Sequence, residues 1–126
     1  MMIIPLFPII SSDPACTALL GAAPTRFYPF GLSPQPGQSG YAEPYVTHQV
    51  ITGLPENYIG DRPDIDSATV QIDIWSSDPL QIDPLTTALR DALEPHGHIT
   101  RWGKAERDAE TKLYRFGFDL DYWLPR

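Results

Sequence analysis

The stretch LYRFGFDLDYW, Leu113 to Trp123, alternates between apolar and polar residues almost without a break. Successive side chains of an extended chain point to opposite sides. One side therefore takes Phe116, Phe118, Leu120 and Tyr122, and the other takes Arg115, Gly117, Asp119, Asp121 and Trp123. A helix would scatter these residues around its circumference, so the pattern commits the segment to a strand with one face in a core. Its second face carries two aspartates two residues apart, and the rest of the chain must say what they meet.

Other segments repeat the period of two. SATVQIDIW places Val70, Ile72 and Ile74 on one side and Gln71, Asp73 and Trp75 on the other. PYVTHQVITGLP sets Val46, His48 and Val50 against Tyr45, Thr47, Gln49 and Ile51, with the β-branched content that suits a strand. Residues 25–32, TRFYPFGL, predict a short strand ended by Pro29 or Gly31, and HITRWGKAERD pairs with the final strand as a hairpin around AETK. Ser12 or Asp13 followed by Pro14 marks a helix start, with Gly21 as its stop and a helical turn or two before it within Ile3 to Ile10. A second helix is predicted over DPLTTALRDALEP, with Asp83 as cap, Pro84 in the first position and Leu85, Leu89, Ala92 and Leu93 as the buried stripe. Asp78-Pro79 offers an earlier start, and Pro95 with Gly97 ends the helix.

The predicted order is helix, strand, strand, strand, helix, strand, strand. It defines an α+β fold: an antiparallel sheet of about four to five strands, two helices on one face, and long Pro/Gly-rich loops. A chain of 126 residues predicts a single domain over 1–126, long enough to bury roughly two-thirds of its unfolded surface. Its 14 prolines are about twice the usual share and gather with glycine between residues 24 and 63.

Charge excludes one class of function. A formal charge of −7 and a pI near 4.7 give no bulk attraction to phosphate, so no sequence-specific nucleic-acid binding is expected. The lone cysteine, Cys16, excludes an intramolecular disulfide and sits in an apolar helical setting that predicts a core thiol. The N-terminus MMIIPLFPIISSDP lacks a basic leading region and is broken by prolines, so neither signal peptide nor membrane span is expected.

Asp119 and Asp121, with Asp73 on a neighbouring strand, invite a divalent-ion reading. Residues i and i+2 of one strand face lie about 7 Å apart, too far to share a small ion without a bridging ligand. No histidine or glutamate stands at a recognised spacing beside them, and a solvated sheet face is the default reading. His96-Gly97-His98 follows a helix end and is explained by the terminating turn. No Gly-rich loop opens a helix and no serine stands in a nucleophile elbow. Asp108 and Glu110 are acids in a hairpin turn, where acids collect anyway. No catalytic, cofactor-binding or metal site is expected; a small metal-dependent hydrolase using surface aspartates, or a protein-binding adaptor domain, are the alternatives. Tyr41, Tyr45, Tyr58, Ile59, Trp75, Trp102 and Trp123 stand at loops or on the supposed outer strand face. They form either a partner surface or a private core under the long loops.

The segments DPACTALLGAAPTRFYPFGLSPQP, PYVTHQVITGLPEN, ATVQIDIWSSD, LRDALEPHGHI and RDAETKLYRFGFDLDYW, in this order, resemble the tail-completion and tail-terminator proteins of long-tailed bacteriophages and prophages. The similarity runs from about Pro8 to Trp123; Thr25, His48 and the Gly37-Gln38-Ser39-Gly40 insert depart from it. The resemblance implies a non-enzymatic virion protein without cofactor. It would form a ring, usually a hexamer, that caps the head-proximal end of the tail tube, stops polymerisation and joins the tail to the head connector, with DNA passing through the lumen. Its partners would be copies of itself, the major tail tube protein and the head–tail connector protein. No membrane is involved, and assembly would take place in the host cytoplasm. Such a ring needs two different patches on each subunit. Tyr41, Tyr45, Tyr58, Arg62, Asp64 and Asp66 are the expected contacts, and Asp73, Asp108, Glu110, Asp119 and Asp121 are expected to face the channel.

Overall fold

A computed structural model describes residues 5–22, 25–31, 42–56 and 65–125, with the backbone alone for 52–56, 65–66 and 123–125. Of the expected contact residues, Tyr41, Tyr58, Arg62 and Asp64 lie outside the described residues, as does the side chain of Asp66.

The chain is α+β. Helices α1 (Phe7–Ser11) and α2 (Pro14–Leu20) precede strands β1 (Phe27–Tyr28), β2 (Tyr45–Glu56) and β3 (Ile65–Ser76); helix α3 (Ile82–Leu93) then precedes β4 (Gly97–Arg107) and β5 (Tyr114–Pro125). The sheet order is β1-β2-β3-β5-β4. Four strands are antiparallel, but β1 runs parallel to β2, pairing Phe27 with Val46 and Tyr28 with Thr47. The sheet is therefore mixed, not wholly antiparallel. Parallel neighbours need a connection that returns to the starting end, and the chain between Tyr28 and Tyr45 makes that return.

Local chemistry explains the helices. Asp13 caps α2, its Oδ1 accepting from the backbone N–H of Ala15 at 3.0 Å and of Cys16 at 3.1 Å, while Pro14 takes the first position. Gly21 ends the helix at φ 84, a conformation that costs glycine little. Helix α3 starts earlier than the Asp83 cap predicts. Asp78 caps a single 3₁₀ turn, Pro79–Gln81, that runs straight into Ile82. Pro84 then lies in the first turn, where a missing N–H breaks no hydrogen bond. The predicted stripe is correct: Leu85, Leu89, Ala92 and Leu93 are all buried, with Ala88 beside them.

These helices cover one face of the sheet. Leu6, just before α1, and Ile10, Cys16 and Leu20 from α1 and α2 join the α3 stripe against Val70, Ile72 and Ile74 of β3 and Phe118 and Leu120 of β5. Burial pushes the Cys16 thiol up to about 12, so it is a core group and not a nucleophile at neutral pH. Arg26 ties the layers together, donating from Nε to the Pro44 carbonyl at 2.8 Å and from Nη2 to the Leu19 carbonyl at 3.0 Å. His48 also faces the helices, stacked on Phe27 at 4.3 Å, and burial lowers its pKa to about 4.

Candidate functional site

The opposite face of the sheet holds the residues that sequence left ambiguous. Register decides their neighbours. Asp73 stands opposite Gly117 and Gln71 opposite Asp119, while on the outer side of β5 Arg101 stands opposite Asp119 and Glu106 opposite Arg115. Acids and bases thus alternate across three strands.

Asp73 is only 5% exposed. Its carboxylate accepts from Gln71 Nε2 at 3.2 Å and from Arg115 Nη2 at 3.3 Å. Arg115 in turn lies over the Trp75 ring at 5.1 Å and pairs with Glu106 at 3.8 Å. Room for the Asp73 carboxylate exists because Gly117 has no Cβ; one built there would collide with Asp73 Oδ1. Asp119 is also buried, and its Oδ2 accepts from Arg101 Nε at 3.0 Å. Its Oδ1 is buried with no hydrogen-bond partner among the described residues. Asp121 accepts from Thr69 Oγ1 at 2.7 Å. Arg101, Arg115, Asp73 and Asp119 enclose a hollow of about 250 Å³.

The predicted acidic wall is therefore a charge-paired lattice at Asp73 and Asp119. Two buried carboxylates are each held by an arginine of the same subunit, an arrangement that fixes side chains and weakens any field pointing outward. Among the described residues no three His, Cys, Asp or Glu side chains gather closely enough to hold a metal ion. His96 and His98 are exposed at the end of α3 and the start of β4. Asp108 and Glu110 occupy the β4–β5 turn. Asp108 Oδ2 accepts from Thr111 Oγ1 at 2.7 Å and from its backbone N–H at 3.0 Å, which holds its carboxyl below the usual range. Glu110 is exposed.

The outward aromatics divide. Tyr45 is 1% exposed and stacks on Trp75, so its ring is spent inside the subunit instead of being offered to a neighbour. Trp75 is half-buried and donates to Thr47 Oγ1 at 3.1 Å. Trp102 is different: it lies 49% exposed on the edge strand β4, stacked on Phe116 at 6.0 Å. Near it a second hollow, about 390 Å³, opens between the start of α3 and the β4–β5 hairpin, lined by Pro79, Ile82, Asp83, Ala105, Glu106, Arg107, Tyr114, Arg115 and Phe116. Leu80, 82% exposed, follows Pro79 in the 3₁₀ turn. Sequence reasoning missed this edge. A signal was present in the charge distribution: residues 97–125 carry five cations and five carboxylates and are neutral, whereas residues 1–96 carry three cations and eleven carboxylates, a net of −8.

The family model for Tail completion protein gp17 matches residues 5–124. Among solved structures, the chain is similar to one from the "Virion of native gene transfer agent (GTA) particle", at 16% identity and a TM-score of 0.62, over 96% of this chain and 92% of that one. At that identity the likeness concerns the fold. No curated protein matches in sequence.

Proposed function

The chain belongs to the Tail completion protein gp17 family, and from that membership we propose that it forms a ring, six subunits in its simplest form, on the head-proximal end of a tail tube. Its class is that of a structural protein of phage-type tails. The ring stops tube polymerisation and presents a docking surface to the head connector. DNA crosses its lumen. Copies of this chain, the tube protein and the connector are its partners, and the assembled particle is where it resides.

The single observation that carries this proposal is the family match over residues 5–124. The subunit's construction supports it. A ring is closed by a heterologous contact, in which each subunit offers two unlike patches. The neutral β4–β5 hairpin and the acidic remainder are unlike in charge. The polar sheet face, with its glycine-floored carboxylate lattice, suits the wall of a DNA passage. Because Arg115 and Arg101 neutralise Asp73 and Asp119, the repulsion felt by phosphate there comes from Asp108, Glu110 and Asp121.

Deletion of the gene from a particle-producing strain tests the role. The expected products are filled heads separated from tails, with tubes of irregular length. Joined particles with normal tails in the deletion strain would overturn it.

A further inference from the structure

We propose that the subunit–subunit contact joins the two edges of the sheet, with Phe30 of one copy seated in the hollow beside β4 of the next. The inference rests on the ring reading and specifies which two patches meet.

Exposed apolar groups are not scattered over the subunit. Among the described residues the large hydrophobic side chains left exposed are Phe7, Phe30, Val50, Ile51, Leu80 and Trp102. Phe30, Val50 and Ile51 lie at the β1–β2 edge of the sheet. Trp102 lies on β4 at the other edge, and Leu80 adjoins Pro79 on the rim of the hollow there. The central strands β3 and β5 contribute none. Apolar groups held in water at both ends of one sheet suit a contact that repeats edge to edge.

The two patches differ in shape. Phe30 has φ 58, in the left-handed region that bulky residues seldom enter. Gly31 follows at φ 65, and its N–H donates to the His48 carbonyl at 3.0 Å, which pins the turn against β2. The ring is thereby held out from the edge, 58% exposed. The opposite patch is concave. Pro79, Ile82, Ala105, Tyr114 and Phe116 supply the chiefly apolar wall of the hollow, whose volume is about 390 Å³. A cavity of about 150 Å³ already accommodates benzene. The charged members of the wall, Asp83, Glu106, Arg107 and Arg115, sum to zero, and three of them are engaged within the subunit. Glu106 pairs with Arg115 at 3.8 Å, while Arg107 lies over the Tyr114 ring and donates to the Lys112 carbonyl at 3.3 Å. A neutral, largely apolar hollow favours an uncharged ring over a charged segment.

Register sets the patches near one level. Ala105 pairs with Phe116, Phe116 with Ile74, Ile74 with Val46 and Val46 with Phe27, a single row across all five strands. Phe30 lies three residues beyond that row, no more than about 10 Å along the strand. The two edges are four strand spacings apart, about 19 Å, so a subunit's own Phe30 cannot enter its own hollow. A second copy turned about an axis parallel to the strands brings one edge to the other with little rise. Such a head-to-tail contact closes a ring instead of growing a filament. The area suffices. β4 spans 11 residues, about 36 Å. With the helix layer the edge is about 20 Å thick and offers about 700 Å² to a neighbour, close to the size of a stable interface.

Two variants chosen to spare the fold test the contact in assembled particles of the full chain. Phe30→Gly removes the ring at a backbone conformation that glycine adopts freely. Leu80→Asp places a charge on a side chain already exposed at the rim. Each lowers the amount of this protein incorporated per particle by about fivefold or more, as loss of a central anchor does. Separately, Phe30→Cys combined with Ala105→Cys, bridged by a short bis-maleimide within particles, gives a ladder of linked copies that neither single variant gives. Cys16 is buried in the core and does not compete. Phe30→Gly incorporated at the unmodified level, or a double-cysteine chain that is incorporated yet yields no ladder, overturns the contact while the ring itself stands. A link from Ala105→Cys to a different particle protein also overturns it and gives the hollow to that protein. If the unmodified protein proves absent from particles, the ring reading and this contact fall together.

Discussion

The two faces of one sheet use the same strands for opposite ends. On the helix side, β3 and β5 present Val70, Ile72, Ile74, Phe118 and Leu120, and these vanish into a continuous apolar core. On the other side the same strands present Gln71, Asp73, Arg115, Gly117 and Asp119, and here too burial is deep, at least for the two aspartates. The difference lies in how burial is compensated. Apolar side chains need only close packing. A buried carboxylate needs donors, and Asp73 obtains them from Gln71 and Arg115, across a sequence gap of 42 residues for the arginine. Packing tolerates modest repacking, whereas an ion pair that loses one member leaves a charge stranded.

Substitutions matched across the two faces break that comparison if it is wrong. The largest effect is expected on the helix face. Ile72→Ala should lower unfolding free energy by about 3 kcal/mol through lost burial and the cavity left behind, read from the urea midpoint. On the opposite face, Arg115→Ala removes the partner of the nearly buried Asp73 and should cost about 2 kcal/mol. Replacing Asp73 by Asn in that background should recover much of the loss, because the stranded charge goes with it. Failure of that rescue would mean that Arg115 acts by packing on Trp75 alone.

His48 sharpens the contrast from the apolar side. Its folded pKa, about 4, is lower than the ordinary 6.5, because burial disfavours the charged ring. The unfolded chain therefore binds the proton first as pH falls. Stability due to this group is fully present above about pH 6.5, declines as pH drops towards about 4, and changes no further below that. The loss is on the order of 3 kcal/mol. His48→Phe should flatten this part of the stability–pH curve, with chemical unfolding between pH 4 and 7 as the check. The smallest effect belongs to the outer surface of α3. Arg90 pairs with Asp91 and Glu94 in the open, and Arg90→Ala should change stability by less than about 0.5 kcal/mol.

Much of this architecture is legible in the sequence because it depends on local rules. The period of two in SATVQIDIW and LYRFGFDLDYW assigns each residue to a face, and Asp13-Pro14 and Gly21 bound α2 by cap chemistry alone. What could not be read depends on register. Nothing local says that Asp73 meets Arg115, that Tyr45 turns inward onto Trp75, or that β1 lies parallel to β2. The acids at 73 and 119 look like free surface charge in one dimension and are arginine-bound in three. The exposed β4 edge was hidden for the same reason, since Trp102, Lys104 and Arg107 become an edge only once β5 is known to sit between β3 and β4.

The position of the protein in the particle tests the central claim most directly. An asymmetric reconstruction of intact particles, with this chain tagged at Arg126, should show the added density as a single ring at the junction of tail and head. Density repeated along the tube, or none at that junction in particles that contain the protein, would contradict it.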